Sequence, residues 1–567
     1  MNLSRRNFLA GTSASLTSLA VFPGFSRADT DIADTDIAGT PHYFFEPGEY
    51  KRIDSERRRF HLCAYYDEIF YASTPGKTID KRVDINYPVE LPVIWKDAGI
   101  TDIWFTHYVQ GDWYQDWGSL DKMRDKVKSM GMTPHLVSVS FGHPSFKGPE
   151  GWKPSHYLNG DIVYGASCHA PADSDCVRYH RALIDHCGPC DVFMDDEFRC
   201  AQGPDGIGGC ICPECQAEFL QRTGFPADQW ETLLDNLRAS RNIPEVRLWI
   251  DYQCDKFSKI FRDTQDLSPE ADFGLMVMGM GSERAGIRLE DYRNKLFRVG
   301  EWMFTDDEYN PTKNKTIELF SSLFHTRFST PGRLFSETSI IRPLSAENLT
   351  SKLSVATLSE VRNTMYFCPI PPEYWKLLAP RMKKEAFFHE RILNQKARGP
   401  FKHFWGIDDR YMAGYNAYSL FLALGVPFEV CDTLPDNGWV FLGNASAEAM
   451  ESGCLEPAGA KCIARISSQA GRFTEIPESF EELFAFRRTL LDGFRERKIP
   501  YVEEETPVVL SEYPGCHTIL LWNIEASPKT IHVRKGDESV AISLLPLDSA
   551  MLAVQPDGSL TEVSFES

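Results

Sequence analysis

No stretch of the 567-residue chain beyond its N-terminus approaches the ~18 consecutive apolar residues of a membrane span, which excludes a multispan membrane protein. Basic charge is in deficit. Lys and Arg number 60 against 80 Asp and Glu, a formal charge of −20, so the basic surplus of a nucleic-acid binder is missing. No Gly-x-Gly-x-x-Gly follows a first strand, and no Gly-x-x-x-x-Gly-Lys-Ser/Thr occurs, so nucleotide binding has no support. Apolar residues are not scarce. At 43% hydrophobic and 25% charged the chain is globular, and its length suits several domains or one large barrel with attachments. Aromatics reach 12%, which suits stacking on sugar rings and equally suits a large aromatic core.

The N-terminus reads as an address. Ser4-Arg5-Arg6-Asn7-Phe8-Leu9 resembles the bacterial twin-arginine export signal. A mildly apolar run to Phe22 follows, and Ser26-Arg27-Ala28 places small residues at −3 and −1 of a cleavage site. Residues 1–28 are therefore expected to be a signal peptide. The acidic repeat Asp-Thr-Asp-Ile-Ala in 29–45 is expected to be a flexible leader, and the mature protein to be periplasmic or secreted.

From about residue 60 to 370, short β-forming runs alternate with amphipathic stretches. Strands are expected at 61–66, 102–107, 133–140, 191–195, 273–279, 302–305, 333–336 and 365–368. Helical patterns lie between most of them, at 120–130, 177–186, 244–264, 311–327 and 346–362. Eight βα units predict a (β/α)₈ TIM barrel over 46–397. Residues 398–505 then suggest a small α/β domain, with a helix at 415–424 and strands at 425–431 and 439–442. Period-two strands within 506–567 suggest an antiparallel β-sandwich.

Several barrel strands run into acids: Asp195-Asp196-Glu197, Asp306-Asp307-Glu308 and Glu337. In such barrels catalytic groups sit at the C-terminal strand ends. Two carboxylates across a cleft are what glycosidic cleavage requires, one protonating the leaving oxygen and the other attacking C1 or activating water. Any single acid could equally be a solvated loop or helix-cap carboxylate. A second pattern, Cys210-Ile211-Cys212-Pro213-Glu214-Cys215, gathers thiolates in a turn and predicts a structural Zn²⁺ site. Cys168 is the first choice of fourth ligand, with Cys200 and Cys176 as rivals and a disulfide as the alternative chemistry. Cys187-Gly188-Pro189-Cys190 has the spacing of a redox dithiol but is expected to end a helix, where the activating dipole is absent.

Together these segments resemble glycoside hydrolase family 42, the zinc-cluster β-galactosidases, or a related family of the same clan. The resemblance implies a barrel followed by a Rossmann-like trimerisation domain and a small sandwich. It also implies Glu197 as general acid/base and Glu337 as nucleophile of a retaining hydrolase acting on an oligo- or polysaccharide. Asp196, Asp307 and Tyr309 are implied in substrate binding, Cys168, Cys210, Cys212 and Cys215 in zinc binding, and a homo-oligomer, a trimer, as the assembly. Asp196 stands where the family has Asn, and the Arg expected on strand two is not visible in Ile103–His107. Two other readings stand beside this one: an inverting enzyme using Asp307, and a catalytically inactive carbohydrate-binding relative. A thiol oxidoreductase would rest on Cys187 and Cys190 alone.

Overall fold

A computed structural model describes residues 52–64, 78–80, 83–86, 91–109, 112–113, 116–139, 150–163, 169–195, 198–200, 206–277, 280, 282–299, 304–312, 314–339, 344–367, 370–412, 417–457 and 459–565. The expected signal peptide and leader lie outside these residues. Among the described residues, no helix is long and apolar enough to cross a membrane.

Eight parallel strands close into a barrel: β1 (Arg59–Ala64), β2 (Asp102–Val109), β3 (Thr133–Val139), β4 (Asp191–Met194), β5 (Asp272–Val277), β6 (Leu296–Val299), β7 (Leu334–Ser339) and β8 (Asn363–Phe367). Closure is explicit, because β1 pairs with β8 on one side and with β2 on the other. Helices α1 (Leu91–Ala98), α2 (Trp117–Ser129), α3 (Ala172–Cys187), α4 (Pro213–Thr223), α5 (Trp230–Arg238), α6 (Pro244–Gln265), α7 (Asn314–His325), α8 (Ala346–Leu358) and α9 (Trp375–Arg391) follow the strands. Both faces of each strand are buried, which is why the strands read as nearly continuous apolar runs. Cys63, Trp104, Val137, Phe193, Leu296, Phe335 and Met365 fill the lumen, while Ile103, Leu136, Val192, Phe297 and Leu334 pack outward with the main core. Gly274 faces this filling. A Cβ there would lie 2.5 Å from Leu296 and 2.7 Å from Phe193, so only glycine fits.

The sixth strand corrects the expectation of 302–305. It is Leu296–Val299, and Phe304 and Thr305 belong to the loop beyond it. The β5–β6 connection holds no α-helix among its described residues, only two 3₁₀ turns at Glu283–Ala285 and Leu289–Tyr292. The spacing therefore breaks the βα rhythm, and Arg298 hides the strand's apolar character.

The lower lumen is polar and paired. Asp102 takes hydrogen bonds from Arg59 at 2.6 Å and shares one with His135 at 3.0 Å. The Trp104 indole donates to Nδ1 of His61 at 3.2 Å, leaving Nε2 to donate to Asn363 Oδ1 at 3.1 Å. These partners hold His61 in one neutral tautomer.

After the barrel, β9 (Phe401–Phe404), β10 (Phe428–Cys431), β11 (Trp439–Leu442), β12 (Lys461–Ala464) and β13 (Thr474–Glu475) form a parallel sheet in the order β10-β9-β11-β12-β13. This 2-1-3-4-5 order is doubly wound, as expected, but it is the flavodoxin-like order rather than the Rossmann one. The helix expected at 415–424 is, over its described part, a single 3₁₀ turn at Leu420–Ala423. All four of its side chains are buried, and Glu478 Oε1 accepts from the Ser419 and Leu420 N–H groups, so an apolar run that resembles a helix is a buried loop. Two short helices, α10 (Ile407–Met412) and α11 (Asn444–Glu451), flank the sheet.

α10 is also a junction. Asp409 turns to the sheet domain, where its carboxylate accepts from Ala445 N at 3.1 Å and Ser446 N at 3.2 Å at the start of α11. Its neighbours turn to the barrel. Asp408 pairs with Arg247, Arg410 meets Glu283 at 3.2 Å, and Tyr411 donates to Asp251 at 2.5 Å.

The chain ends in two antiparallel sheets. β14 (Tyr501–Val502), β17 (Lys529–Lys535) and β18 (Glu538–Leu544) form one, and β15 (Val508–Tyr513), β16 (Thr518–Asn523), β19 (Ser549–Val554) and β20 (Leu560–Glu562) the other. Val508, Leu510, Ile519, Leu521, Ile531, Val533 and Ile542 fill the space between them, as the period-two pattern predicts.

Candidate active site and metal centre

On β7, Phe335 faces the lumen, so Glu337 two residues on faces it as well, opposite Met365 of β8. On β6 the inward positions are Leu296 and Arg298, and on β4 Phe193 is followed on the same face by Asp195. Three charged groups thus converge at the C-terminal end of the barrel. Arg298 Nε lies 3.1 Å from Glu337 Oε2, and Arg298 Nη2 donates to Asp195. All three residues are buried, with Arg298 only 1% exposed. Thioethers and rings enclose the guanidinium. Met276 Sδ lies 3.0 Å from Nε and Met365 Sδ 3.4 Å from Nη1, while the Phe193 and Phe367 centroids lie 5.8 Å and 5.7 Å away.

Glu337 is therefore where the sequence reading puts it, at the mouth of strand seven. Glu197 and Asp196 lie outside the described residues, bracketed by Asp195 and Phe198, which are joined by a Phe198 N–H to Asp195 O hydrogen bond of 2.9 Å. Asp307 is exposed in the turn after Thr305. Asp306 accepts from Ser345 N at 2.9 Å and Asn348 Nδ2 at 2.8 Å at the N-terminus of α8, a helix-capping position. Tyr309 lies in the loop after β6 rather than on a strand. It is fully buried beside Phe304, under the Lys352–Glu318 ion pair, and burial raises its phenol well above the ordinary range. Sequence reasoning missed Arg298 and did not single out Asp195. Strand parity from Leu296 and Phe193 carries the signal for both.

The thiol cluster is the second site. Cys212 is the N-cap of α4, with Pro213 at the first helical position and the Cys215 N–H directed at Cys212 Sγ. Gly209, at φ +122°, turns the chain where a Cβ would strike Gln253 and Trp249, and so brings Cys210 back over the helix start. His169, Cys210, Cys212 and Cys215 are buried, and each offers a ligand atom within 4.8 Å of the others. Tetrahedral Zn²⁺ with Zn–S of about 2.3 Å sets ligand atoms about 3.8 Å apart. The Cys210 Sγ–His169 Nε2 distance is 3.8 Å, so the donor set fits such an ion. The opposite nitrogen of His169 faces Glu214 at 3.9 Å, the outer partner that metal-bound histidines commonly keep. A hydrogen bond from Cys215 and another from His169 pull the Cys210 thiol down to about 3, against its burial.

Among the described residues, the fourth ligand atom is offered by His169. Its neighbour Cys168 lies outside the described residues. Of the rivals, Cys200 packs against Gly286, and Cys176 sits on α3 with its sulfur 3.7 Å from His180. Cys187 ends α3 and Cys190 precedes β4. Burial pushes both thiols well above the ordinary range, and neither is in a disulfide. They are at the wrong end of a helix for an activated thiolate.

A cleft of about 540 Å³ lined by Lys153, His169, Glu214, Cys215 and Lys256 opens beside the cluster and gives a chelator access. The protein is expected to carry one Zn²⁺ per chain, read by elemental analysis. Cys212→Ala should lose it and lower the melting temperature by several degrees, at a cost of about 2–4 kcal/mol. Metal-free protein purified without chelator, or an unchanged melt, would count against the site.

No protein-family model matches the sequence, and no curated protein matches it. Among solved structures, the fold is similar to those of two β-galactosidases. One is the β-galactosidase of the psychrophilic Marinomonas ef1, at 10% identity and TM-score 0.53, covering 88% of this chain and 100% of that one. Another is the cold-adapted β-galactosidase of Rahnella sp. R3, at 10% identity and TM-score 0.56, covering 90% of this chain and 100% of that one. At such identity the likeness establishes the architecture across nearly the whole chain.

Proposed function

We propose that the protein is a glycoside hydrolase in which Glu337 is the nucleophile and Glu197 the general acid/base of a retaining reaction. The observation that carries this reading is Glu337 itself. It is a carboxylate buried at the C-terminal end of strand seven and held by a buried guanidinium. A nucleophilic carboxylate must be ionised, and Arg298 places a permanent positive charge 3.1 Å from it. Glu197 follows Asp195 by two residues in the sequence, and Asp195 lies at the mouth of strand four, across the lumen from strand seven. The two solved structures compared above are named β-galactosidases, so a β-galactoside is the first substrate to try.

In the proposed reaction Glu337 attacks C1 while Glu197 protonates the departing oxygen. Glu197 then deprotonates the water that releases the sugar with its configuration retained. When bound at the thiol cluster, Zn²⁺ would be structural, because His169, Cys210, Cys212 and Cys215 already fill a tetrahedral set. The test is turnover of an aryl-glycoside panel, with the product anomer read by proton NMR. No turnover of any member would end the glycosidase reading, and an inverted product would end the retaining one. Export by the twin-arginine route belongs to the same proposal. Replacing Arg5 and Arg6 with Lys should leave uncleaved precursor in the cytoplasm, and normal export would refute it.

A further inference from the structure

We propose that Arg298 is the positioning residue of the nucleophile, and that it works by dividing one guanidinium between the carboxylates of Glu337 and Asp195. This rests on the glycosidase reading and goes beyond it by assigning a role to a strand-six side chain and to Asp195.

The geometry carries the assignment. A guanidinium presents its Nε and Nη2 hydrogens in parallel along one edge, an arrangement that usually grips both oxygens of a single carboxylate. Here Nε forms an ion pair with Glu337 Oε2 at 3.1 Å, Nη2 donates to Asp195, and the hydrogens of the Nε–Nη2 edge also meet Met276 Sδ. Asp195 thereby fixes the rotation of the guanidinium, and the rotation fixes where its positive charge lies against Glu337. The other side is closed by packing. Met365 Sδ sits at Nη1, Met276 Sδ touches the Nε side, and Phe193 and Phe367 flank the plane. A thioether is a weak, uncharged acceptor, so Met276 occupies these N–H groups while the cation's charge is left to the carboxylates. Gly274 on the neighbouring strand leaves room for this layer by adding no side chain beside Leu296 and Phe193.

Asp195 also has a fixed place on the backbone. Its N–H donates to Ser138 O at 2.8 Å, which ties the end of β4 to β3. The clamp therefore runs from strand four through Arg298 to strand seven, and the lateral position of Glu337 is set by rigid strands rather than by a loop.

The test uses the full-length protein and the glycoside that the wild type turns over fastest. Arg298→Ala should lower kcat about 10²–10³-fold with little change in KM, because the lost interaction orients the attacking group rather than the bound sugar. Millimolar methylguanidinium should restore at least tenfold of that loss in Arg298→Ala and nothing in Glu337→Gln. Arg298→Lys should remain at least tenfold impaired, since an ammonium cannot bridge two carboxylates in the guanidinium geometry. Asp195→Asn should fall between Lys and wild type. Melting curves verify folding, and if Arg298→Ala does not fold, the charge-preserving Lys variant decides. A folded Arg298→Lys or Arg298→Ala with kcat within threefold of wild type would overturn the assignment. So would a folded Arg298→Ala that no guanidinium rescues. A wild type that hydrolyses no glycoside would bring down the glycosidase reading and this inference with it, a result distinguishable from the other two.

Discussion

Glu337→Gly is expected to abolish turnover, by about five powers of ten or ~7 kcal/mol of barrier, while leaving the fold at least as stable as before. The two effects have one origin. In the wild type, one guanidinium faces two carboxylates, so the buried trio carries an excess of negative charge when all its members are ionised. Removing Glu337 leaves Arg298 with Asp195, a balanced pair, and takes away a buried charge whose desolvation is costly. A melting temperature equal to or above that of the wild type should therefore accompany the dead enzyme, the usual exchange of stability for activity at a catalytic carboxylate. Azide or formate should enter the space left by the side chain and restore turnover with inversion at C1. Glu197→Ala should behave differently, keeping its first step on substrates with good leaving groups that need little protonation. Residual activity of Glu337→Gly within tenfold of wild type, without added anion, would mean that another group is the nucleophile.

Acid should unfold the protein between about pH 6.5 and pH 4. Burial pushes His61, His180 and His325 down to about 4 and His107 and His403 to about 3, all from an ordinary 6.5. A histidine lowered in the folded state stays neutral there while its unfolded counterpart takes up a proton. Stability is therefore lost as pH falls from 6.5 to the folded value, by about 3 kcal/mol for each group. Asp409 acts in the opposite sense. Burial lifts it to about 7, so it recovers about 4 kcal/mol as it protonates on acidification. His389 is lowered in the same way, while burial raises Glu283, Glu318 and Glu360, which offset part of the loss; the net effect of acidification is destabilising. Glu385, held at about 2 mainly by Arg381 against its burial, keeps its charge through this window and weakens the fold only at lower pH. Melting curves from pH 8 to pH 4 read this directly, and a melting temperature constant over that range would contradict it.

Much of the architecture was legible because parallel strands buried on both faces write themselves as apolar runs. Seven of the eight barrel strands show this pattern, and the sandwich shows its own period of two. The sixth strand was not legible. Leu296-Phe297-Arg298-Val299 is four residues long and holds a charge, and the apolar Trp302–Thr305 nearby offered a better-looking decoy. The same arginine explains why the site was read only in part. A buried cation is recognisable only through the partners it meets, and these lie 103 residues away at Asp195 and on the following strand at Glu337. The thiol cluster was legible because three of its ligands are local, whereas His169 enters from a distant loop. In the same way, an all-apolar stretch at Leu420–Ala423 cannot announce that it will be a loop. Its backbone is satisfied by Glu478, and nothing local records that bond.

The junction helix Ile407–Met412 bears on how the gene can be cut. A shortened chain ending near residue 397 would keep Glu283, Arg247 and Asp251 but lose Arg410, Asp408 and Tyr411. Glu283 is fully buried, and its Arg410 partner is the charge that offsets that burial. Stripped of it, the isolated barrel would hold an uncompensated carboxylate and bare apolar surface such as Phe320, which packs against His403 and Trp405, and so stick to itself on expression. Soluble material for crystallisation or display should therefore come from the chain extended through the doubly wound sheet. Calorimetry of that chain should show barrel and sheet melting in one peak.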